Sequence, residues 1–389
     1  MKILFIGNGT IGENNALTGS DTRFLEVAKA WRRKGHEIHL LASASGCRMC
    51  KKFGLDFTPH IFSVSFRPNR IGIILFVLKT LLLPLPKSLR GFKPDIVYSN
   101  NEMLFDIFPA LKLKLKYRKK IKLAVVVHWL PPVPWKRKQS TLLNSTLFFI
   151  NERMSFWLAN FFADILLPVS KSTEKRMREV GANMKKACVV ECGANCLEIG
   201  DITENVKGKK YDAVYLKRLQ AVKGIFDLID IWEKVVKLRP DANLLIIGDG
   251  IGSESERAKK MVEEKRLEKN IEFAGPITDT RTKFSKLAES KIFILPSYEE
   301  NWAIVVGEAM AAGIPVLAYD LPELVGVWED NFIQIPLGDK DYFAQKILEI
   351  LNSPNEVDRI SREALDFVKK YDWSLVTEKE INIVLKNWK

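Results

Sequence analysis

Short runs of consecutive apolar residues alternate along this chain with longer stretches in which apolar residues recur every three or four positions. The first rhythm marks strands buried on both faces, and the second marks helices with one apolar stripe. Their alternation predicts an α/β protein built from parallel sheets with crossover helices. In the first half, strands are expected over residues 3–6, 37–42, 95–99, 123–128, 164–169 and 187–191. A helix over 22–34 carries Phe24, Leu25, Val27, Ala28 and Trp31 at helical spacing. In the second half, strands are expected over 213–216, 243–247, 271–274, 292–296, 316–319 and 332–335, and a helix with a broad apolar stripe over 224–238. A polar stretch over 195–210 separates the two series and reads as a linker. The segment from Tyr371-Asp372-Trp373 onward reads as a helix returning to the first half. The expected domains are residues 1–200, residues 201–370 and a C-terminal helix over 371–389.

Length supports that division, because 389 residues exceed what one hydrophobic core usually holds. With 47% hydrophobic and 28% charged residues the composition is that of a soluble globular protein. No stretch reaches the ~18 uncharged apolar residues of a membrane span. The opening Met1-Lys2-Ile3-Leu4-Phe5-Ile6-Gly7 has the length of a first strand and lacks the form of a cleaved signal, so a cytoplasmic protein is expected.

Charge changes the picture. Residues 1–200 carry 32 Lys and Arg against 14 Asp and Glu, and residues 201–389 carry 28 against 33, within a net charge of +13. The first half therefore expects an anionic surface, either nucleic acid or a phospholipid leaflet. No helix-turn-helix, zinc-finger or RNA-binding signature accompanies the charge, so nucleic acid is not expected. An apolar segment over 71–84 is flanked by Arg67, Arg70, Lys87 and Arg90, a composition suited to lying in a membrane interface or, equally, to a buried helix. The five cysteines, Cys47, Cys50, Cys188, Cys192 and Cys196, are odd in number and argue against a disulfide framework. Small buried thiols are the simpler reading, with a metal or iron–sulfur site the alternative.

Two carboxylates stand out. Glu300 follows an apolar strand and Glu308 lies eight residues on, inside the next helix. Open α/β sheets bind ligands at the carboxyl ends of their strands, and paired carboxylates there can accept hydrogen bonds from sugar or ribose hydroxyls. The run from Pro296 through Glu300, Asn301-Trp302-Ala303 and Glu308 to Gly313-Ile314-Pro315-Val316 closely resembles the donor-binding motif of the GT4 family of retaining, nucleotide-sugar-dependent glycosyltransferases. The resemblance extends over essentially the whole chain and is stronger in the second half.

The resemblance implies the GT-B fold, two doubly wound Rossmann-like domains facing each other across a cleft. The first would bind the acceptor and the second the nucleotide sugar. By position, Glu308 would accept both ribose hydroxyls and Glu300 would hold donor sugar hydroxyls. Arg218 and Lys223 match the basic pair that compensates the leaving diphosphate. His128 matches a histidine near the donor sugar, with a satisfied buried histidine as its rival. Gly19 and Ser20 fall at a helix start close to the donor phosphate. Departures are Asn301-Trp302-Ala303 for the usual Gly-Phe-Gly, and Lys217 for a glycine. Gly7-Asn8-Gly9-Thr10-Ile11-Gly12 spells a dinucleotide fingerprint, yet the second strand ends without an acid for a ribose, so no NAD cofactor is expected. Asp339-Lys340-Asp341 spells a metal-binding motif, but it opens a helix and reads as a cap. No metal cofactor is expected. The expected activity is hexosyl transfer from a nucleoside-diphosphate sugar to a glycan or lipid-linked acceptor, peripherally on the inner face of the cell membrane. A catalytically silent scaffold subunit and a soluble enzyme acting on small molecules are the alternatives.

Overall fold

The computed structural model describes residues 1–8, 17–62, 70–137, 141–250 and 253–387. The chain divides into two compact units, Met1–Cys192 with Trp373–Lys389, and Gly193–Asp372. The first unit contains β1 (Lys2–Ile6), α1 (Gly19–Arg33), β2 (Glu37–Ala42), α2 (Ala44–Lys52), β3 (Thr58–Ile61), α3 (Arg70–Leu82), β4 (Ile96–Ser99), α4 (Leu104–Tyr117), β5 (Lys122–Val127), α5 (Leu142–Phe162), β6 (Ile165–Pro168) and α6 (Lys171–Glu179). The second contains α7 (Cys196–Thr203), β7 (Tyr211–Leu216), α8 (Ile225–Leu238), β8 (Leu244–Ile247), α9 (Glu254–Glu264), β9 (Ile271–Gly275), α10 (Thr280–Ala288), β10 (Ser290–Leu295), α11 (Ile304–Ala311), β11 (Val316–Tyr319), α12 (Pro322–Trp328), β12 (Ile333–Ile335), α13 (Lys340–Leu351) and α14 (Pro354–Val368). A last helix, α15 (Trp373–Lys386), belongs to the first unit.

Each unit is built on a six-stranded parallel sheet, β3-β2-β1-β4-β5-β6 in the first and β12-β11-β10-β7-β8-β9 in the second. Both have the doubly wound order in which the chain reverses direction beside its first strand. The reversal points lie between β1 and β4 and between β7 and β10. Loops at the carboxyl ends of those strand pairs diverge there and leave room for a ligand. The inner strands are buried along nearly their whole length, as their unbroken apolar runs require of a sheet covered on both faces, while β3, β9 and β12 at the edges are more open.

Two strand expectations need correction. β3 went unpredicted because Pro59 interrupts its pattern, yet an edge strand tolerates a residue without an N–H. The stretch 187–191 is no strand of the sheet. It runs beside β6, with Cys188 N donating to Leu166 O and Val190 N to Pro168 O, both at 2.9 Å, and Pro168 has no N–H with which to continue the ladder. The expected linker over 195–210 contains α7, which packs against α10 and α11. The helix expected from residue 22 begins at Gly19, because Thr18 forms a capping box with Asp21.

α15 is fastened to α1 and β4 by charge buried in the first unit. Arg23 donates to Tyr98 Oη at 2.8 Å and to the Glu380 carboxylate, and Tyr98 Oη donates to Glu380 Oε1 at 2.6 Å. All three side chains are fully enclosed, so each satisfies a partner that water cannot reach. Within the second unit the two chain crossings run side by side, with Ala194 N donating to Tyr371 O at 3.0 Å and Cys196 N to Asp372 Oδ2 at 3.0 Å.

Candidate active site

In the second unit, the loop after β7 carries Lys217, Arg218 and Lys223, and the loop after β10 carries Ser297 and Glu300. Because β7 and β10 are neighbours, the two loops meet at the reversal point. Gly224, with φ 77°, follows Lys223 in the left-handed conformation, and a Cβ there would lie 1.8 Å from Pro296 O. Only glycine lets the two backbones approach this closely. Gly248 plays the same part at the end of β8, where a Cβ would lie 1.9 Å from Lys217 O. Tyr215 Oη holds the loop from beneath, bonding the carbonyls of Lys223 at 3.0 Å and Arg218 at 3.3 Å. Tyr298 N donates to Val222 O at 3.0 Å and closes the seam.

At its centre the buried Glu300 carboxylate accepts from Lys217 Nζ at 2.9 Å, Lys223 Nζ at 3.0 Å and Ser297 Oγ at 2.8 Å. Burial opposes ionisation, but the two ammonium groups outweigh it and bring Glu300 down to about 2. Burial in turn lowers Lys217, with Glu300 working against that shift. Arg218 is exposed, and its guanidinium makes no ion pair among the described residues. Lys217, Arg218 and Lys223 gather three cations here, with Glu300 among them and Glu254 accepting from Ala221 N at 3.0 Å, a basic loop suited to an anionic group such as a diphosphate.

Of the other residues singled out in this half, Trp302 is buried, its ring edge-on to Trp328 at 4.4 Å and Tyr371 at 5.2 Å. Its carbonyl accepts from Trp328 Nε1 at 3.0 Å. Asn301 Oδ1 is buried with no hydrogen-bond partner among the described residues. Ala303 stands at φ 53°, ψ 68°, left-handed backbone that glycine adopts without strain and alanine does not. The N–H groups of Trp302, Ala303 and Ile304 donate to no acceptor among the described residues, leaving the start of α11 open to an anion. Glu308, inside α11, does not share a partner with Glu300. It pairs instead with Lys283 of α10 at 2.8 Å. Lys283 was missed in the sequence because a single lysine on an amphipathic helix carries no pattern.

His128, Gly19 and Ser20 belong to the first unit. His128 follows β5; its Nε2 donates to Asn100 O at 2.9 Å, which leaves Nδ1 as an acceptor. Burial and the Arg23 charge push this imidazole down to about 3, so it is neutral near pH 7. Gly19 and Ser20 open α1, where Ser20 Oγ lies 2.9 Å from Thr18 Oγ1. Residues 9–12 of the dinucleotide-like run lie outside the described residues, as does Arg67.

A second pair of carboxylates escaped the sequence reading. Glu102, in the loop after β4, accepts from the backbone N–H groups of His128 and Trp129, both at 3.1 Å. Glu152 reaches the same region from the inner face of α5. Burial raises Glu102 to about 7, and burial together with the Glu102 charge raises Glu152 to about 8. Neither residue lies in a motif, and only the packing of α5 over the β4 and β5 loops brings them together. Asp339 caps α13 by accepting from Tyr342 N at 2.9 Å, while Lys340 and Asp341 pair with Asp230 and Lys234. The cysteines are free, with Cys47, Cys50 and Cys192 buried as small apolar residues. Among the described residues no cluster of His, Cys, Asp and Glu could hold a metal ion.

Two family models match the chain, Glycosyltransferase Family 4 over residues 17–196 and Glycosyl transferases group 1 over residues 201–367. A poly(glycerol-phosphate) alpha-glucosyltransferase of Bacillus subtilis is 27% identical over 171 residues, 43% of this chain and 24% of that one. A phosphatidyl-myo-inositol mannosyltransferase of Mycobacterium leprae is 29% identical over 164 residues, 41% of this chain and 42% of that one. The chain thus spans a quarter to two-fifths of the length of these relatives. The crystal structure of Anabaena Alr3699/HepE in complex with UDP and glucose superposes with a TM-score of 0.76 over 99% of both chains at 17% identity, a likeness of fold.

Proposed function

Because this chain belongs to Glycosyltransferase Family 4, of the GT-B fold class with two Rossmann-like domains, we propose that it transfers a hexose from a nucleoside-diphosphate sugar to a glycan or lipid-linked acceptor. The observation that carries the proposal is Glu300 clasped by Lys217, Lys223 and Ser297 at the reversal point of the second sheet. On donor binding, Lys223 turns from Glu300 to a phosphate oxygen and Arg218 swings in from solvent. Glu300, freed of one partner, accepts from the sugar hydroxyls. Charge developing on the departing diphosphate then meets cations already in place, which lowers the barrier without a reorganisation of solvent. Glu308, released by Lys283, takes the ribose hydroxyls, and the open N–H groups from Trp302 to Ile304 face the phosphates. Within the first unit, the neutral His128 keeps Nδ1 as an acceptor for a ligand hydroxyl. The reaction is taken to retain anomeric configuration and to need no metal, the basic loop standing in for one.

The acceptor is placed on the strongly basic first half. Two of the relatives act, by name, on poly(glycerol-phosphate) and on phosphatidyl-myo-inositol, both phosphate-bearing. A phosphate-bearing acceptor at the inner face of the cell membrane therefore fits the excess of 32 basic over 14 acidic residues in residues 1–200. The test is release of nucleoside diphosphate from a panel of nucleotide sugars by the purified chain. Release from at least one donor, faster with a phosphate-bearing acceptor, is expected. The alternative of a catalytically silent scaffold rests on the full occupation of Glu300 by two lysines, and it is the reading left standing if no donor is turned over.

A further inference from the structure

α5 is a surface helix turned inside out. Its buried positions include the polar Ser145, Glu152 and Ser155, and the Ser155 hydroxyl donates to Glu102 O. Its exposed positions are apolar without exception. Leu143, Leu147, Ile150, Met154, Trp157 and Phe161 are each between 49% and 69% exposed, and Leu142 at the helix start completes the set. Their spacing of four, three, four, three and four residues lines them up along one side of the helix, a stripe about 27 Å long. The inward hydrogen bond and the packing of Phe156 and Ala159 into the core fix this rotation. An apolar stripe of that length on a soluble surface needs a cover.

The charges around it say which cover fits. From residue 70 to residue 162 the acidic residues are Asp95, Glu102, Asp106 and Glu152; the last three are buried, and Asp95 accepts from Lys2 N. The cations are numerous and outward. Lys116, Arg118, Lys119 and Lys120 are exposed at the end of α4, which packs between α3 and α5. Beside the stripe, Arg153 lies over Phe149 at 4.9 Å and Arg137 over Phe148 at 5.1 Å. α3, beyond α4, exposes Leu75, Leu78, Leu81 and Leu82 around Lys79. A second copy of the chain would bring like charge against like charge. An anionic lipid leaflet accepts both the apolar stripe and the cations beside it. No helix among the described residues is long and apolar enough to cross a membrane, so α5 lies on the leaflet rather than through it.

We propose that α5 is the membrane-docking face of this protein, seating Leu143 to Phe161 in the headgroup layer of an anionic leaflet. The proposal rests on the reading of the first half as the acceptor-binding half. It adds a consequence, since Ser155 on the inner side of the same helix donates to Glu102 O, in the loop whose carboxylate holds the His128 N–H. A docked α5 therefore fixes the loops that line the reversal point of the first sheet.

The test is co-sedimentation of the full chain with phosphatidylcholine vesicles and with vesicles in which about one third of the lipid is phosphatidylglycerol. The wild type is expected to bind the anionic vesicles at least about tenfold more tightly. Ile150→Glu/Trp157→Glu, and the milder Ile150→Ser/Trp157→Ser, are expected to lose at least about tenfold of that binding, because both positions are exposed and neither supports the core. Binding of both variants equal to wild type overturns the proposal. So does a wild-type dimer by light scattering that the variants dissociate, which assigns the stripe to a second copy. Thermal stabilisation by nucleoside diphosphates, measured on the same samples, separates the two questions. Stabilisation without vesicle binding removes only the docking face, whereas vesicle binding without stabilisation counts against the transferase reading.

Discussion

Ala303 bears a backbone conformation that its own side chain resists. Left-handed φ and ψ cost an alanine roughly 1 kcal/mol relative to glycine, and the residue sits where the related motif carries glycine. Ala303→Gly is therefore expected to stabilise the chain by about 1 kcal/mol in chemical denaturation, and a destabilisation would contradict the reading. Glu300→Gln separates binding from turnover. It removes the anion that competes with phosphate for Lys217 and Lys223 and replaces one of the two acceptor oxygens offered to the donor sugar with an N–H donor. Nucleoside-diphosphate affinity is expected to hold or rise while turnover falls at least about 100-fold; equal losses in both would make Glu300 a structural anchor. The acidic and basic residues of this corner were legible in the sequence because they recur at family spacing. Their pairing was not, since nothing in the spacing of Lys217 and Glu300 says that the lysine replacing a glycine reaches across to the carboxylate. The partner of Glu308 was invisible for the same reason, Lys283 lying 25 residues away on a different helix.

Helices and strands were legible where apolar runs were long and unbroken, and 37–42 and 316–319 were read to the residue. Pattern failed where a rule of local chemistry met an exception, at Pro59 in an edge strand and at Pro168 opposite 187–191. α5 was not read at all, because apolar residues lie on both its inner and its outer side and leave no single stripe for periodicity to show. Its inner Glu152 has a measurable consequence. Glu102 and Glu152 both titrate above their unfolded values, so between about pH 5 and 8 the native state holds protons that the unfolded state has released. The stability this pair contributes is present in full below pH 4.5 and is lost as pH rises through about 7 to 8. Glu152→Gln is expected to stabilise the chain at pH 8 by on the order of 2 kcal/mol and to change little at pH 5, read from urea midpoints at both values. The C-terminal helix offers the complementary case. Glu380→Ala strands the Arg23 guanidinium in the core and is expected to cost roughly 3–5 kcal/mol, while Arg23→Met with Glu380→Leu recovers most of it. A double variant as unstable as the single one would contradict that assignment.

Two sheets with one strand order place two reversal points in one chain, and the charge is divided between them. The first half carries 32 basic against 14 acidic residues. The second half carries 28 basic against 33 acidic residues, and two of its lysines, Lys217 and Lys223, meet at Glu300. That division is consistent with the proposed transfer to a phosphate-bearing acceptor, and it is visible in composition before any fold is known. The claim on which the function depends is that Lys217, Arg218 and Lys223 form a seat for a diphosphate. Isothermal titration of paired nucleoside mono- and diphosphates into the wild type and into Lys223→Ala tests it directly. At least one diphosphate is expected to bind the wild type about tenfold or more tightly than its monophosphate, with Lys223→Ala erasing the difference. Equal affinities for mono- and diphosphates in the wild type, or a preference that survives in Lys223→Ala, would contradict it.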